Sequence, residues 1–307
     1  MTFTIYPARK IITLNPNRPE VDCVAIQDGR ILGAGPREEL AQWGEHRVDD
    51  RFREKVLVPG FVEGHCHLSQ GTLWRFVYVG SYDRSDPDGR VWPGLRTIDA
   101  VIERLRAAAD LAQDKSAPIV GWGFDPVSLP GTQCSRHDLD RVADTLPVIL
   151  IHASIHMLSA NSQALKAAGY FRTGIVHPGL PMAPDDLPSG EVRGPEAMGP
   201  VAELAGLNRA MLAADEPGVR AFGKLAVRAG VTTAADLANP LTEDVLDMLL
   251  RVTGEDRFPT RVVSMQRLAG MAPSDIVASA LRLKERSTDQ LRLGFIKLVL
   301  DGSVQGF

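Results

Sequence analysis

The sequence predicts an α/β protein built around a parallel β-sheet, and three observations support this fold class. From about residue 95, amphipathic helical stretches alternate with short apolar stretches of strand length. Residues 147–152 are continuously apolar, as expected for a strand that is buried on both faces. Residues 58–67, VPGFVEGHCH, end a short apolar strand in two histidines. Repeated strand–helix units form either a closed barrel or an open sheet.

The first part of the chain is predicted to be mainly β-structure. A short strand is expected at residues 10–14, and strands at 23–27 and 30–34 flank Asp28-Gly29. Asp-Gly between two apolar stretches is a strong signal for a two-residue hairpin turn. A short helix at residues 37–43 and a strand at 56–61 complete this region.

The later part is predicted to alternate between helices and strands around one long irregular segment. Residues 174–200 are rich in Pro and Gly and are expected to form a loop. Helices are predicted at residues 97–115, 161–168, 201–214, 216–229, 242–252 and 274–286, and strands at residues 117–123, 147–152, 230–235, 260–265 and 291–300.

Composition and charge narrow the classes of function. The net charge of the 307 residues is −4, so no basic surface is expected for nucleic acid. The three cysteines, Cys23, Cys66 and Cys134, are far apart and form no disulfide framework. No secretion signal or membrane-spanning stretch is recognised, and a cytoplasmic location is expected. Expected partners are a small-molecule substrate and a second copy of the chain, but neither nucleic acid nor a membrane.

His65 and His67 are the first candidates for a metal site. Side chains alternate along a strand, so these two imidazoles point to the same face. Two imidazoles on one face at a strand end can bind one metal ion, which suggests metal-assisted hydrolysis. A His-x-His pair is weak evidence by itself, because many such pairs are ordinary surface residues. Cys66 faces the other way and is interpreted as a packing thiol.

Lys297 and Asp301 are candidates on the last predicted strand. Alternation places both on one face of an otherwise apolar strand. A buried lysine either pairs with a carboxylate or loses its proton. A neutral amine could react with carbon dioxide to give a carbamate that bridges two metals, but the ion pair is the ordinary outcome. Asp301 lies at the strand end, where barrels carry catalytic residues, although Asp-Gly is also a routine turn.

Trp122, Asp125 and His156 are candidates for substrate binding. Glycines flank Trp122, so a ligand could approach the chain there, or the segment could be a tight turn with a packed tryptophan. His156 follows the apolar strand at residues 147–152 and could donate a hydrogen bond to an oxyanion or satisfy a loop carbonyl. A nucleotide-binding open sheet is a less favoured alternative, because no GxGxxG or GxxxxGK loop follows a strand.

Taken together and in this order, these segments resemble the amidohydrolase superfamily, within it the amidohydrolase-3 group of YtcJ-like proteins and N-substituted formamide deformylases. The resemblance covers residues 11–16 and 25–35, the His-x-His strand with Glu63 in place of the usual Asp, residues 121–125, 136–140 and 156–165, Gly230-Val231-Thr232-Thr233, and residues 296–303. The set of segments is specific, although no single one would be.

The resemblance implies a (β/α)8 TIM barrel with a small β-sandwich. Residues 1–57 would form the N-terminal part of the sandwich and residues 58–307 the first part of the barrel, with a long insertion around residues 68–230. His65 and His67 would bind one or two divalent metals, commonly zinc. Lys297 matches a lysine that is carboxylated and bridges metals in related enzymes, and this favours the ligand role over the ion pair.

The resemblance also implies a chemistry. A metal-activated water would attack an amide or related non-peptide carbon–nitrogen bond. Members of the family are longer and supply two further histidines and an Asp that acts as general base, whereas the last histidine here is His177. We therefore expect a chain that is truncated at its C-terminus, with the general base beyond Phe307. The alternative function is a catalytically incomplete fragment, poorly soluble or self-associating, with little activity by itself.

Overall fold

A computed structural model describes residues 2–129, 133–207, 214–267 and 271–298, without the side chains of Ala238 and Arg267. The chain divides into two compact units, Met1–Phe61 and Val62–Phe307. No helix in the described ranges combines the length and apolar character needed to cross a membrane.

The first unit is a single mixed sheet. Its strand order is β3-β2-β1-β4, and β5 also pairs with β1. The predicted hairpin is confirmed, because Asp28 and Gly29 have positive φ angles of 50° and 74°, as a type I′ turn requires. The first strand is longer than predicted. In chain order the elements are β1 (Phe3–Ile12), β2 (Glu20–Gln27), β3 (Arg30–Gly35), α1 (Arg37–Ala41), β4 (His46–Val48) and β5 (Val56–Leu57).

From Phe61 onward the elements build a five-stranded sheet, a four-stranded sheet and a two-stranded sheet of β8 and β9. They are β6 (Phe61–Cys66), α2 (Ser69–Thr72), β7 (Val77–Tyr78), β8 (Arg84–Ser85), β9 (Val91–Trp92), α3 (Ile98–Leu111), β10 (Ile119–Phe124), α4 (Arg136–Asp140), β11 (Val148–His152), β12 (Met157–Ala160), α5 (Ser162–Ala167), β13 (Glu191–Arg193), α6 (Gly194–Leu204), α7 (Glu216–Arg228), β14 (Val231–Asn239), α8 (Glu243–Thr253), β15 (Arg261–Arg267), α9 (Pro273–Glu285) and β16 (Leu291–Lys297).

The four-stranded sheet has the order β16-β15-β14-β6, and β14–β15 and β15–β16 pair in parallel. Buried side chains of α7, α8 and α9 share one core with Ala234, Val262 and Leu291 of its strands. Apolar side chains elsewhere on the strands are open to solvent, since Val62 is 71% exposed and Phe295 is 50% exposed. The alternating helices and strands confirm the predicted α/β fold class. Within the described residues these four strands do not close into a barrel, and the incomplete TIM barrel stays a prediction.

The five-stranded sheet has the order β13-β12-β11-β10-β7 and lies in the chain between β6 and β14. β11 is central and buried on both faces, as predicted, with Val148 to Ile151 fully inaccessible. The parallel pattern ends at β12 and β13, which both pair antiparallel. The predicted loop at residues 174–200 is wrong in its second half, where β13 and the start of α6 lie. Pro195 is at an early position of α6, where proline is favoured.

Asn161 joins three segments of this region through four hydrogen bonds. Its side-chain oxygen accepts from the backbone N–H groups of Ala164 and Val148, each at 2.9 Å. Its side-chain nitrogen donates to the carbonyl oxygens of Ala143 at 3.0 Å and Leu146 at 2.9 Å. Asn161 therefore caps α5 and also ties the start of β11 to the preceding loop.

We expect Asn161→Ala to lower the free energy of unfolding by about 3 kcal/mol, because it removes a helix cap and leaves buried backbone groups without partners. Urea denaturation monitored by circular dichroism measures this loss. Asn15→Ala is the matched control, since Asn15 is exposed and its side chain accepts only one hydrogen bond, from the Asn17 N–H. Equal losses in the two variants would contradict this role of Asn161.

His152 ends β11 as a buried imidazole. Its side-chain Nε2 lies 2.9 Å from the Ser159 hydroxyl, and its ring packs edge-on against Phe124. Burial lowers the pKa of His152 to about 4, against a weaker opposite effect of Glu191 and Asp125. Because this pKa is lowered, the unfolded chain binds a proton at a higher pH than the folded protein does. The stability contributed by neutral His152 is therefore complete above the unfolded pKa of 6.5 and is lost as the pH falls toward 4.

We expect the free energy of unfolding to fall by about 3 kcal/mol between pH 6.5 and pH 4 through His152 alone. His152→Gln keeps a donor toward Ser159 and should remove this part of the acid destabilisation. Urea titrations at several pH values measure it, with His137→Gln as a control that removes an exposed imidazole. An unchanged slope in His152→Gln would contradict the assignment.

Candidate metal centre

The two candidate histidines lie at the end of β6, the strand next to β14: His65 is in the strand and His67 directly follows it. β6 ends at Cys66, and the two histidine rings lie with their centres 5.7 Å apart and their planes at 88°. The carboxylate of Glu63 accepts a hydrogen bond of 3.0 Å from the His65 backbone N–H. Glu63 therefore supports the backbone at His65, which is a local role for the residue that stands in place of the usual Asp.

Cys66 lies between the two histidines and belongs to the packed core. Its thiol donates to the Ala235 carbonyl at 3.3 Å, and the side chain is buried among residues of α7, α8 and α9. Burial, followed by the charges of Asp236 and Glu63, raises the pKa of the Cys66 thiol to about 12. The buried position of the thiol and its hydrogen bond to Ala235 are in line with its interpretation as a packing residue.

Asp236 is a functional candidate that the sequence-based reasoning missed. It lies in β14, is fully buried, and places Oδ1 3.6 Å from Nδ1 of His67. Both of these atoms are buried and have no hydrogen-bond partner among the described residues. The sequence did hold a signal, since Asp236 is a carboxylate that directly follows the predicted strand at residues 230–235, and a buried charge there is costly without a partner.

The two histidines fit a shared metal ion. A metal that binds both rings at the usual distance of about 2.1 Å would hold the ring centres roughly 5 to 6 Å apart. The observed separation of 5.7 Å falls in this range. Two imidazoles supply two ligands of a tetrahedral site, and the described part of the chain contains no cluster of three or more His, Cys, Asp or Glu side chains suited to a metal.

Of the two candidates on the last predicted strand, Lys297 belongs to the described residues and lies far from the histidine pair. Lys297 ends β16, at the opposite edge of the four-stranded sheet from β6, roughly 14 Å away along the sheet. Its side chain is only partly buried and makes no ion pair within the described residues, so the ion pair, the alternative to the predicted ligand role, is not formed there. A metal shared with His65 and His67 would require the sheet to curve as barrels do. Asp301 lies outside the described residues.

Trp122, Asp125 and His156 belong to the five-stranded region and share no hydrogen bond, ion pair or ring contact with His65 or His67 in the described structure. Trp122 packs edge-on against Trp74 and Tyr78. Asp125 caps a short 3-10 helix by accepting from the Val127 N–H at 3.0 Å. His156 is exposed in the loop between β11 and β12. Trp122 therefore has a packing role and Asp125 has a capping role.

The glycines around Trp122 serve close packing. A Cβ on Gly123, whose φ is +90°, would lie 2.7 Å from the Tyr78 ring, and one on Gly121 would lie 2.9 Å from Leu105. Gly123 also lies at the irregularity in the β10–β11 register. These contacts account for both glycines without a ligand.

Comparison with known proteins gives relatives and a shared fold. The chain is 28% identical over 311 residues to the protein LONG AFTER FAR-RED 3 of Arabidopsis thaliana, covering 96% of this chain and 49% of that one. It is 28% identical over 172 residues to the N-substituted formamide deformylase of Arthrobacter pascens, covering 52% of this chain and 29% of the enzyme. The chain thus spans about half the length, or less, of these relatives.

A solved structure shows the same fold. The crystal structure of an uncharacterized metal-dependent hydrolase from Pyrococcus furiosus superimposes with a TM-score of 0.58 at 18% identity, covering 99% of this chain and 57% of that one. The amidohydrolase family model matches residues 53–307, which include β6 and the four-stranded sheet. On that match, together with a paired His-x-His at a strand end, the chain belongs to the amidohydrolase family.

Proposed function

We propose that this protein is a metal-dependent hydrolase that acts on non-peptide carbon–nitrogen bonds, with His65 and His67 as metal ligands. The observation that carries the proposal is the pair of imidazoles at the end of β6, with ring centres 5.7 Å apart. Membership of the amidohydrolase family adds support for hydrolysis. The proposed bond class rests on a relative that is named as a formamide deformylase.

A divalent metal, when bound, would supply a Lewis acid and an activated water. The chain's own contribution is to hold the ligands in place. β6 fixes the spacing of His65 and His67, the Glu63 carboxylate holds the backbone at His65, and buried Cys66 anchors the strand end in the core. Imidazole ligands suit zinc, so we propose zinc as the metal and a carboxylated Lys297 as a further ligand.

A second candidate function is favoured by one observation. The described residues contain no cluster of three or more His, Cys, Asp or Glu side chains suited to a metal around the two imidazoles. Two nitrogen ligands hold zinc more weakly than the three or four of complete sites. Residues 1–307 by themselves would then act as part of a hydrolase that keeps the metal-binding strand but needs further ligands for catalysis.

We expect His65→Ala and His67→Ala each to weaken zinc binding by at least roughly 100-fold, since even residues that only orient a ligand typically contribute 10- to 100-fold. Competition with a fluorescent zinc chelator measures the affinity. His137→Ala is the matched control, because His137 is exposed on α4 and takes no part in the site. Equal zinc affinities in the wild type and the three variants would show that His65 and His67 are not metal ligands.

On the incomplete-site candidate, we expect residues 1–307 loaded with zinc to release formate from an N-substituted formamide only slowly, because two imidazoles by themselves leave the metal poorly held. Formate and amine release is measured with and without a chelator. Fast turnover that a chelator abolishes and zinc restores would defeat the incomplete-site candidate and support the hydrolase directly. Zinc binding through His65 and His67 without turnover would support the second candidate.

A further inference from the structure

The contact between His67 and Asp236 extends the proposed function. Asp236 has no accessible surface and belongs to β14, the strand next to β6. Its Oδ1 faces Nδ1 of His67 at 3.6 Å, and neither atom has another partner in the described structure. A buried carboxylate oxygen without a hydrogen bond is costly, so a donor is needed at this position.

The other oxygen of Asp236 is already held. Asn239 donates to Oδ2 at 2.8 Å, and the Ser264 hydroxyl lies 3.4 Å from the same atom. The Leu241 N–H donates to Oδ1 of Asn239 at 3.2 Å, which fixes the Asn239 amide with its nitrogen toward Asp236. Asn239 and Ser264 are themselves buried. These contacts fix the direction of the carboxylate and leave Oδ1 free for His67.

We propose that Asp236 is the positioning residue for His67: its Oδ1 accepts the Nδ1–H of the imidazole, so the Nε2 lone pair is presented to the metal. The proposal rests on the assignment of His67 as a metal ligand. A distance of 3.6 Å exceeds a normal hydrogen bond by about 0.6 Å, so the proposed hydrogen bond requires the ring to move toward the carboxylate by about that much. Carboxylates that accept from the second nitrogen of a ligand histidine fix its tautomer and orientation.

Direct ligation by Asp236 is the less favoured alternative. Nδ1 of His67 and Oδ1 of Asp236 are both shut off from solvent. A hydrolytic metal needs an open position for water and substrate, and a metal held between these two atoms would have none. The His67 side chain is 21% exposed, so the part of the ring away from Nδ1 is the accessible part.

The structure makes Asp236→Asn an unusually informative substitution. The new amide must turn its oxygen toward the donors of Asn239 and Ser264, because two amide nitrogens cannot hydrogen-bond to each other. Its NH₂ group then faces Nδ1 of His67 and donates to it. This reverses the proton arrangement of the ring, so Nε2 carries the hydrogen and loses the lone pair that a metal needs, while the shape of the side chain stays the same.

The test compares the wild-type chain, Asp236→Asn and Asp99→Asn, which makes the same carboxylate-to-amide change on the exposed surface of α3. Long-range ¹H–¹⁵N NMR of the metal-free proteins at alkaline pH reports which nitrogen of His67 carries the proton, with His67→Ala providing the assignment. We expect protonated Nδ1 in the wild type and in Asp99→Asn, and protonated Nε2 in Asp236→Asn. Zinc affinity, measured by chelator competition, should fall about 10- to 100-fold in Asp236→Asn and stay within about 3-fold in Asp99→Asn.

Two results would overturn the proposal. If His67 keeps the same protonated nitrogen in Asp236→Asn and the wild type, Asp236 does not set the tautomer; a loss of zinc affinity in that case would make Asp236 a ligand. If the wild type carries its proton on Nε2, the proposed arrangement is absent. The NMR measurement uses metal-free protein, so it stays decisive even if zinc proves not to bind and the proposed function fails.

Discussion

Pairing of β6 with β14 is the contact on which the candidate site depends. The thiol of Cys66 donates to the Ala235 carbonyl, which holds the end of β6 against β14. With Cys66 in the core, alternation sends His65 and His67 to the opposite side of the strand. The same pairing brings His67 beside Asp236. A slip of one residue would bury an imidazole in the core in place of the thiol and separate the histidines from their neighbours.

The two sheets of the second unit differ in what they contribute. The four-stranded sheet carries the histidine pair and Asp236, and the helices α7, α8 and α9 cover one of its faces. The five-stranded sheet has a central strand enclosed on both sides, and several polar residues around it form hydrogen bonds within the protein. Asn161 ties a helix, a strand and a loop together, and Asp125 caps a short helix. Within the segments that resemble the family, packing and hydrogen bonding thus account for Asn161, Asp125 and the two glycines beside Trp122.

Local chemistry made much of this fold predictable, and long-range contacts account for the rest. Asp28-Gly29 fixes a hairpin and Asn161 starts a helix because each acts on its near neighbours. The antiparallel β12 and β13 were not foreseen, since short strands depend on their partners. Sequence alternation placed His65 and His67 on one face, but it could not show Asp236 against His67, because that contact joins residues far apart in the chain. Lys297 was expected to be buried, whereas the face of β16 that carries it is partly open to solvent.

The central claim is that one metal ion binds both histidines of β6. Anomalous X-ray diffraction at the zinc absorption edge, on crystals of the zinc-loaded protein, tests it most directly. The account predicts an anomalous peak about 2.1 Å from a ring nitrogen of His65 and at the same distance from Nε2 of His67. A peak that contacts neither ring, or a zinc ion bound through Nδ1 of His67 and Asp236, would contradict it.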